Sequence, residues 1–146
     1  MKNSILLIAG AVLTVLFLIF PSQIFELGYY DSDFSNQMYN ESIYLIVAII
    51  TAVAAWGGAA LFYYIINSVS FSRWYHWLIS LGVVSLLAAI VNYFYADGIL
   101  SEEGDYGVQL FSFFIIDVVY TAILFIIASF SIRWWSSNCR HTPIPE

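Results

Sequence analysis

Four long apolar runs, separated by polar segments, dominate the pattern of hydrophobic and polar positions along the chain. A helix needs about 20 mostly apolar residues to cross a hydrocarbon layer of about 30 Å, and three of the runs meet that length. The pattern predicts an all-α integral membrane protein, a four-helix bundle that forms one transmembrane domain over residues 1–146. The predicted spans cover residues 4–21, 43–66, 76–95 and 108–132.

The first run is the shortest, so it needs its flanking residues or a locally thinner bilayer to cross the membrane. A cleaved signal peptide is the alternative, because Lys2 stands in front of the apolar stretch. The following segment "FLIFPSQIF" contains no pair of small residues at the spacing that signal peptidase requires. We therefore expect a retained membrane helix.

The composition agrees with a membrane protein. Of the 146 residues, 62% are hydrophobic and only 10% are charged, whereas a soluble domain carries about 25% charged residues. The single cysteine, Cys139, allows no disulfide within the chain.

The basic residues predict the orientation of the chain. If the four runs span the membrane, Lys2, Arg73, Arg133 and Arg140 all fall on one side of it. Lysine and arginine are enriched in the cytoplasmic segments of membrane proteins. The sequence therefore predicts that both the N-terminus and the C-terminus are cytoplasmic, as in a multi-pass protein of the bacterial inner membrane.

The two predicted outer loops are acidic and contain no lysine or arginine. Such loops favour a basic protein partner on the outer side. The segment "DSDFSNQMYNES" partly matches a calcium loop, but it has Asn36 where glycine is needed and Ser42 where glutamate is needed, so we predict no metal site. The carboxylates of the two loops are Glu26, Asp31, Asp33, Glu41, Asp97, Glu102, Glu103 and Asp105.

One carboxylate, Asp117, lies inside the fourth apolar run, in "FFIIDVVYTAILF". A charge at that depth is costly, and no predicted span contains a lysine or arginine that could neutralise it. Asp117 should therefore carry a proton, reach water, or join a polar cluster. Counting residues from the ends of the spans places four other polar residues at similar depth, and these give a candidate intramembrane polar layer of Asp117, Asn92, Thr51, Thr14 and Thr121.

The polar layer has two interpretations. In the first, it is a hydrogen-bonded layer that fixes how the helices align, with each contact contributing about 1 kcal/mol or less. In the second, it is a proton or cation site reached from outside, or one member of a ring of carboxylates in an oligomeric pore. We expect the first.

The sequence motifs and the net charge limit the classes of function that we expect. It has no phosphate-binding loop, no nucleophile paired with a base and no metal-ligand spacing, so we expect neither an enzyme nor a cofactor. The net charge of −6 argues against nucleic acid. We expect a non-enzymatic protein, surrounded by membrane lipid, that acts by binding a partner or by forming a homo-oligomer, as an accessory or immunity-type membrane protein does. The alternative is an oligomeric ion-conducting or membrane-permeabilising protein that uses Asp117.

The predicted orientation can be tested directly. A reporter fused after Glu146 should be active on the cytoplasmic side, and a cysteine introduced at Ser101 should react with a membrane-impermeant thiol reagent added from outside. Neutralising Arg73 alone should not invert the chain, because Arg133 and Arg140 remain on the same side. Labelling of Ser101→Cys only after the membrane has been permeabilised would show that the orientation is wrong.

Overall fold

The computed structural model describes residues 2–28, 32–66, 74–100 and 107–136. These residues are 96% helical and include no strand, which confirms the all-α prediction for this part of the chain. The helices are α1 (Lys2–Ile19), α2 (Pro21–Gly28), α3 (Ser32–Asn40), α4 (Ile43–Ala60), which continues as a π-helix (Leu61–Ile66), α5 (Trp74–Leu100), and α6 (Gly107–Ile132), which ends in a 3-10 turn (Arg133–Trp135).

Three helical segments are long and apolar enough to cross a membrane: Ile43–Ile66, Trp74–Leu100 and Gly107–Trp135. The pair α1 and α2 becomes a fourth only if the two are counted as one broken span, since they meet at an angle of 86°. The bend lies at Pro21, whose ring removes a backbone N–H from the helical hydrogen-bond series. The described chain is therefore a multi-pass membrane protein with three or four crossing segments.

The boundaries differ from the prediction in two places. Helix α5 continues to Leu100 and so includes Asp97, a residue predicted to lie in an outer loop. The first predicted loop contains two short helices, α2 and α3, in place of irregular chain. Helix α2 buries Phe25, and α3 buries Phe34 and Met38 four residues apart, so each short helix presents an apolar side to the bundle.

Helices α4 and α6 form the centre of the bundle. They pack on each other, and each also packs on α1 and on α5. Small side chains at three- and four-residue spacing allow this close approach, because helices in lipid associate through tight packing and hydrogen bonds. The buried alanines of the described helices are Ala48, Ala52, Ala55 and Ala59 on α4, Ala88, Ala89 and Ala96 on α5, and Ala128 on α6.

Large apolar side chains cover the outside of the bundle. Helix α1 is the extreme case, because between Ser4 and Ile19 only Gly10, Thr14 and Phe17 are buried. Elsewhere, Ile65 is 75% exposed and Phe94 is 68% exposed. In water such a surface would be unfavourable, whereas next to lipid chains it is the expected one.

Hydrogen bonds join the C-terminal ends of α4 and α6. The hydroxyl of Tyr64, in the π-helix, donates to the backbone carbonyl of Ile132. In the opposite direction, Ser136 Oγ donates to the carbonyl of Tyr63 over 2.8 Å. Nearby, the indole N–H of Trp77 on α5 donates to Ser129 Oγ on α6 over 3.0 Å. This end of the bundle is thus held by side-chain hydrogen bonds as well as by packing.

Two neighbouring glycines on α4 provide a test of the packing. A Cβ atom added to Gly58 would lie 2.5 Å from Val84 Cγ2 on α5, whereas one added to Gly57 would have no atom within 4 Å. Gly58→Ala should therefore lower the free energy of unfolding by about 1–3 kcal/mol, and Gly57→Ala should leave it unchanged or slightly higher. Thermal unfolding in a mild detergent, followed by tryptophan fluorescence, measures the difference.

The control for this prediction is Val84→Ala in the Gly58→Ala background. Removing the stiff, branched side chain of Val84 should restore much of the lost stability, since the clash involves its methyl groups. Equal melting temperatures for the two glycine variants would contradict the predicted contact between α4 and α5.

Candidate functional site

Three of the predicted polar residues meet in the interior of the bundle, one from each of α4, α5 and α6. Thr51 Oγ1 donates a hydrogen bond to Asp117 Oδ1 over 2.9 Å. Asn92 Nδ2 donates to Asp117 Oδ2 over 2.5 Å and to Thr51 Oγ1 over 3.0 Å. The exposed fraction of each side chain is 1% or less. We call Asp117, Asn92 and Thr51 the polar triad.

The local sequence explains why the triad is so compact. Thr51 stands between Ala48 and Ala55 on one face of α4. Asn92 occupies the equivalent place between Ala88 and Ala96 on α5. Alanine neighbours let the helix backbones approach closely enough for short side chains to meet.

The other two residues of the predicted layer do not contact the Asp117 carboxylate. Thr121 Oγ1 donates to the backbone carbonyl of Asp117, within α6, over 2.7 Å. Thr14 Oγ1 donates to the carbonyl of Gly10 and accepts a hydrogen bond of 2.9 Å from the indole of Trp56. Thr14 therefore joins α1 to α4 at a separate place. Counting residues predicts how deep a side chain lies but not which way it faces, so it does not distinguish Thr14 from the residues of the triad.

A cluster of aromatic side chains covers the triad at the end of the bundle where α2 and α3 lie. Phe113 stands one helical turn from Asp117, towards the start of α6. Its ring centroid lies 5.0 Å from that of Phe25 on α2, and 6.1 Å from those of Phe34 on α3 and Tyr44 on α4. We call these four residues the aromatic cover. It separates the Asp117 carboxylate from that end of the bundle.

Two contacts from Tyr120 on α6 hold α2, which contributes Phe25 to the aromatic cover. The hydroxyl of Tyr120 donates to the backbone carbonyl of Ile24 over 2.5 Å, and the Tyr120 ring lies edge-on to that of Phe25, with centroids 5.3 Å apart. Sequence reasoning missed this arrangement. The available signals were the spacing of Phe34 and Met38, which is helical, and Pro21, which is favoured at the start of a helix.

The acidic residues are distributed over several elements. Glu26 is half-buried on α2, Asp97 is half-buried on α5, and Glu41 is exposed in the turn between α3 and α4. Within the described parts of the chain, no three His, Cys, Asp or Glu side chains gather into a group that could hold a metal ion. The remaining predicted members, Asp31, Glu102, Glu103, Asp105 and the Asp33 side chain, lie outside the described residues.

The hydrogen bonds of the triad predict that two substitutions of Asp117 differ in their effect on stability. Asp117→Leu removes both acceptors and leaves the Thr51 hydroxyl and the Asn92 amide buried without that partner. The free energy of unfolding should fall by about 1–3 kcal/mol. Asp117→Asn keeps the size of the side chain and an oxygen that accepts from Asn92 Nδ2, while its new amide can donate to Thr51 Oγ1, whose own hydroxyl can donate to the preceding turn of α4. This variant should unfold near the temperature of the parent.

Thermal unfolding in a mild detergent measures both variants. Thr121→Val is the matched control, because the Thr121 hydroxyl bonds only to its own helix and lies one turn from the triad. Parent-like stability of Asp117→Leu would show that the triad does not hold the three helices together.

Comparisons with known proteins give no match: no protein-family model, no curated protein and no solved structure is similar to this chain. The function is therefore argued from the residues described above.

Proposed function

We propose that this chain is a non-enzymatic multi-pass protein of a bacterial inner membrane, with both termini in the cytoplasm, that binds a partner protein through its outer face. The partner would present a basic segment, as expected for an accessory or immunity-type membrane protein. In this orientation α2 and α3 lie on the outer side, together with both acidic loops. The observation that carries the proposal is a cleft beside these two helices.

The cleft has a volume of about 400 Å³ and lies where α1, α2, α3 and α4 meet. One part of its wall is polar and includes Ser22, Gln23 and Ser42, and another part is apolar and includes Leu18 and Leu45. A mixed wall of this kind suits a peptide segment that has both apolar and hydrogen-bonding groups. Tyr39, 67% exposed at the rim, adds an amphipathic ring of the type enriched in protein interfaces.

The charge near the cleft favours a basic partner. Glu41 is exposed directly next to Ser42 of the wall, and Glu26 lies on α2, which supplies another part of it. The sequence from Ser22 to Ser42 contains no lysine or arginine. These carboxylates would attract a cationic segment over a range of about 8 Å at physiological salt. A second copy of this chain would bring an equally acidic outer face, so any self-association would use the membrane-facing helices.

The rival function is an oligomeric ion-conducting protein built around Asp117. A carboxylate ring in such a pore would have to face the space between subunits. In the described structure the Asp117 carboxylate is enclosed, with 0% of the side chain exposed, and it contacts α4 and α5 of its own chain. This geometry supports a role for Asp117 in holding the helices together.

Site-specific photo-crosslinking in native membranes tests the proposed partner binding. A photoreactive amino acid placed at Tyr39 should give a discrete protein adduct, because that ring lies at the rim of the cleft. The same probe at Phe94, which is 68% exposed on the outside of α5, is the matched control and should not give an adduct with that partner. The Tyr39 adduct should weaken several-fold when Glu26→Gln and Glu41→Gln are combined, and also at high salt.

Two results would contradict the proposal. The first is an adduct that does not respond to salt or to the two glutamine substitutions, since charge would then play no part in binding. The second is ion flux through vesicles containing the purified protein that disappears in the Asp117→Asn variant while the fold is kept. That result would favour the ion-conducting function.

A further inference from the structure

The polar triad has fewer hydrogen-bond donors than its acceptors require. Its donors are the Thr51 hydroxyl and the Asn92 amide nitrogen, and all their hydrogen bonds are made within the triad. Its acceptors are the two Asp117 oxygens, Thr51 Oγ1 and Asn92 Oδ1. The first three each receive a bond, whereas Asn92 Oδ1 is buried and receives none from any described residue. One acceptor and one negative charge are therefore left without compensation.

The uncompensated acceptor and the carboxylate are adjacent. Asn92 Oδ1 belongs to the same planar amide as Nδ2, and Nδ2 lies 2.5 Å from Asp117 Oδ2. Asn92 Oδ1 is therefore separated from the charged oxygen by no more than the width of one amide group and one hydrogen bond. The orientation of the amide is fixed, because Nδ2 faces two acceptors.

No charged side chain within the described bundle compensates Asp117. Its hydrogen-bond partners are Thr51 and Asn92, and the basic residue of its own helical segment, Arg133, lies 16 positions further along, or about 24 Å at 1.5 Å per residue. Burying an isolated carboxylate in an apolar interior is very unfavourable, so such a group is paired, coordinated or neutralised. The titratable residues on the described elements packed against α6 are Lys2 of α1, Glu26 of α2, Asp33 and Tyr39 of α3, Tyr44, Tyr63 and Tyr64 of α4 and its π-helix, and Tyr75, His76, Tyr93, Tyr95 and Asp97 of α5.

We propose that the polar triad binds one monovalent cation, a proton or Na⁺, through the Asp117 carboxylate and Asn92 Oδ1. One positive charge balances the single carboxylate, whereas a divalent ion would leave an excess charge in the membrane interior. Carboxylate and amide oxygens are hard ligands of the type that bind alkali and alkaline-earth ions. The aromatic cover encloses the site on the side of α2 and α3, so the cation is held away from water. The cation site and the cleft use different residues, so cation binding does not depend on partner binding.

The thermal stability of the purified protein in a mild detergent tests the inference. The unfolded chain does not preserve the site, so bound cation should raise the melting temperature in proportion to the logarithm of its concentration. In the first arm, Na⁺ replaces N-methyl-D-glucamine at constant ionic strength and alkaline pH. In the second arm, the pH is lowered without Na⁺. A proton bound by the folded state stabilises it as the pH falls, because the folded state then binds more protons than the unfolded state.

The variants assign the response to the triad. A rise with Na⁺ identifies the metal ion, and a rise only on acidification identifies the proton. In either case Asp117→Asn should abolish the response, whereas Thr121→Val should keep it. Asn92→Thr removes the amide oxygen but keeps a hydroxyl donor, so it should raise the Na⁺ concentration needed for a given rise in melting temperature at least tenfold. A parent protein that responds to neither cation, or a response that persists in Asp117→Asn, would overturn the inference.

Discussion

The fold depends on one constraint: a polar group inside a membrane must find its partner within the protein, because the surrounding lipid offers none. Asp117 imposes this constraint most strongly. Its two oxygens accept hydrogen bonds from Thr51 on α4 and Asn92 on α5, which defines the rotation and height of three helices relative to one another. A shift of α5 by one residue along its axis would move Asn92 about 1.5 Å and rotate it away from the carboxylate.

The same constraint accounts for the other contacts between helices. Trp56 donates to Thr14 and joins α4 to α1, and Trp77 donates to Ser129 and joins α5 to α6. Tyr120 donates to a backbone carbonyl of α2 and fixes the bent segment that follows α1. Each long helix therefore has at least one side-chain hydrogen bond to a neighbour, placed among alanines and glycines that allow close approach.

The sequence was a good guide to the helices and a partial guide to their arrangement. Length and apolarity identify the long helices, and counting from the ends of the runs predicts a similar depth for Asp117, Asn92 and Thr51. The inward faces could not be read from hydrophobicity, because in lipid both the inside and the outside of the bundle are apolar. A count of residues therefore includes Thr14 in the polar layer, although its hydroxyl accepts a hydrogen bond from Trp56 and does not join the triad. Helices α2 and α3 were missed because their many polar residues resemble those of a loop.

The narrow buried stripe of α1 has a consequence for how the chain is assembled. Helix α1 is synthesised before the other described helices, yet a Cβ atom on its Gly10 would lie only 1.9 Å from Ser131 Oγ, near the end of α6, which is synthesised after α2 to α5. Its second anchor, Trp56, lies on α4. Helix α1 must therefore remain in the lipid without its contact to α6 until α6 has been synthesised. Helix α1 is thus made before α6, but its packing in the bundle is complete only after α6 has been made.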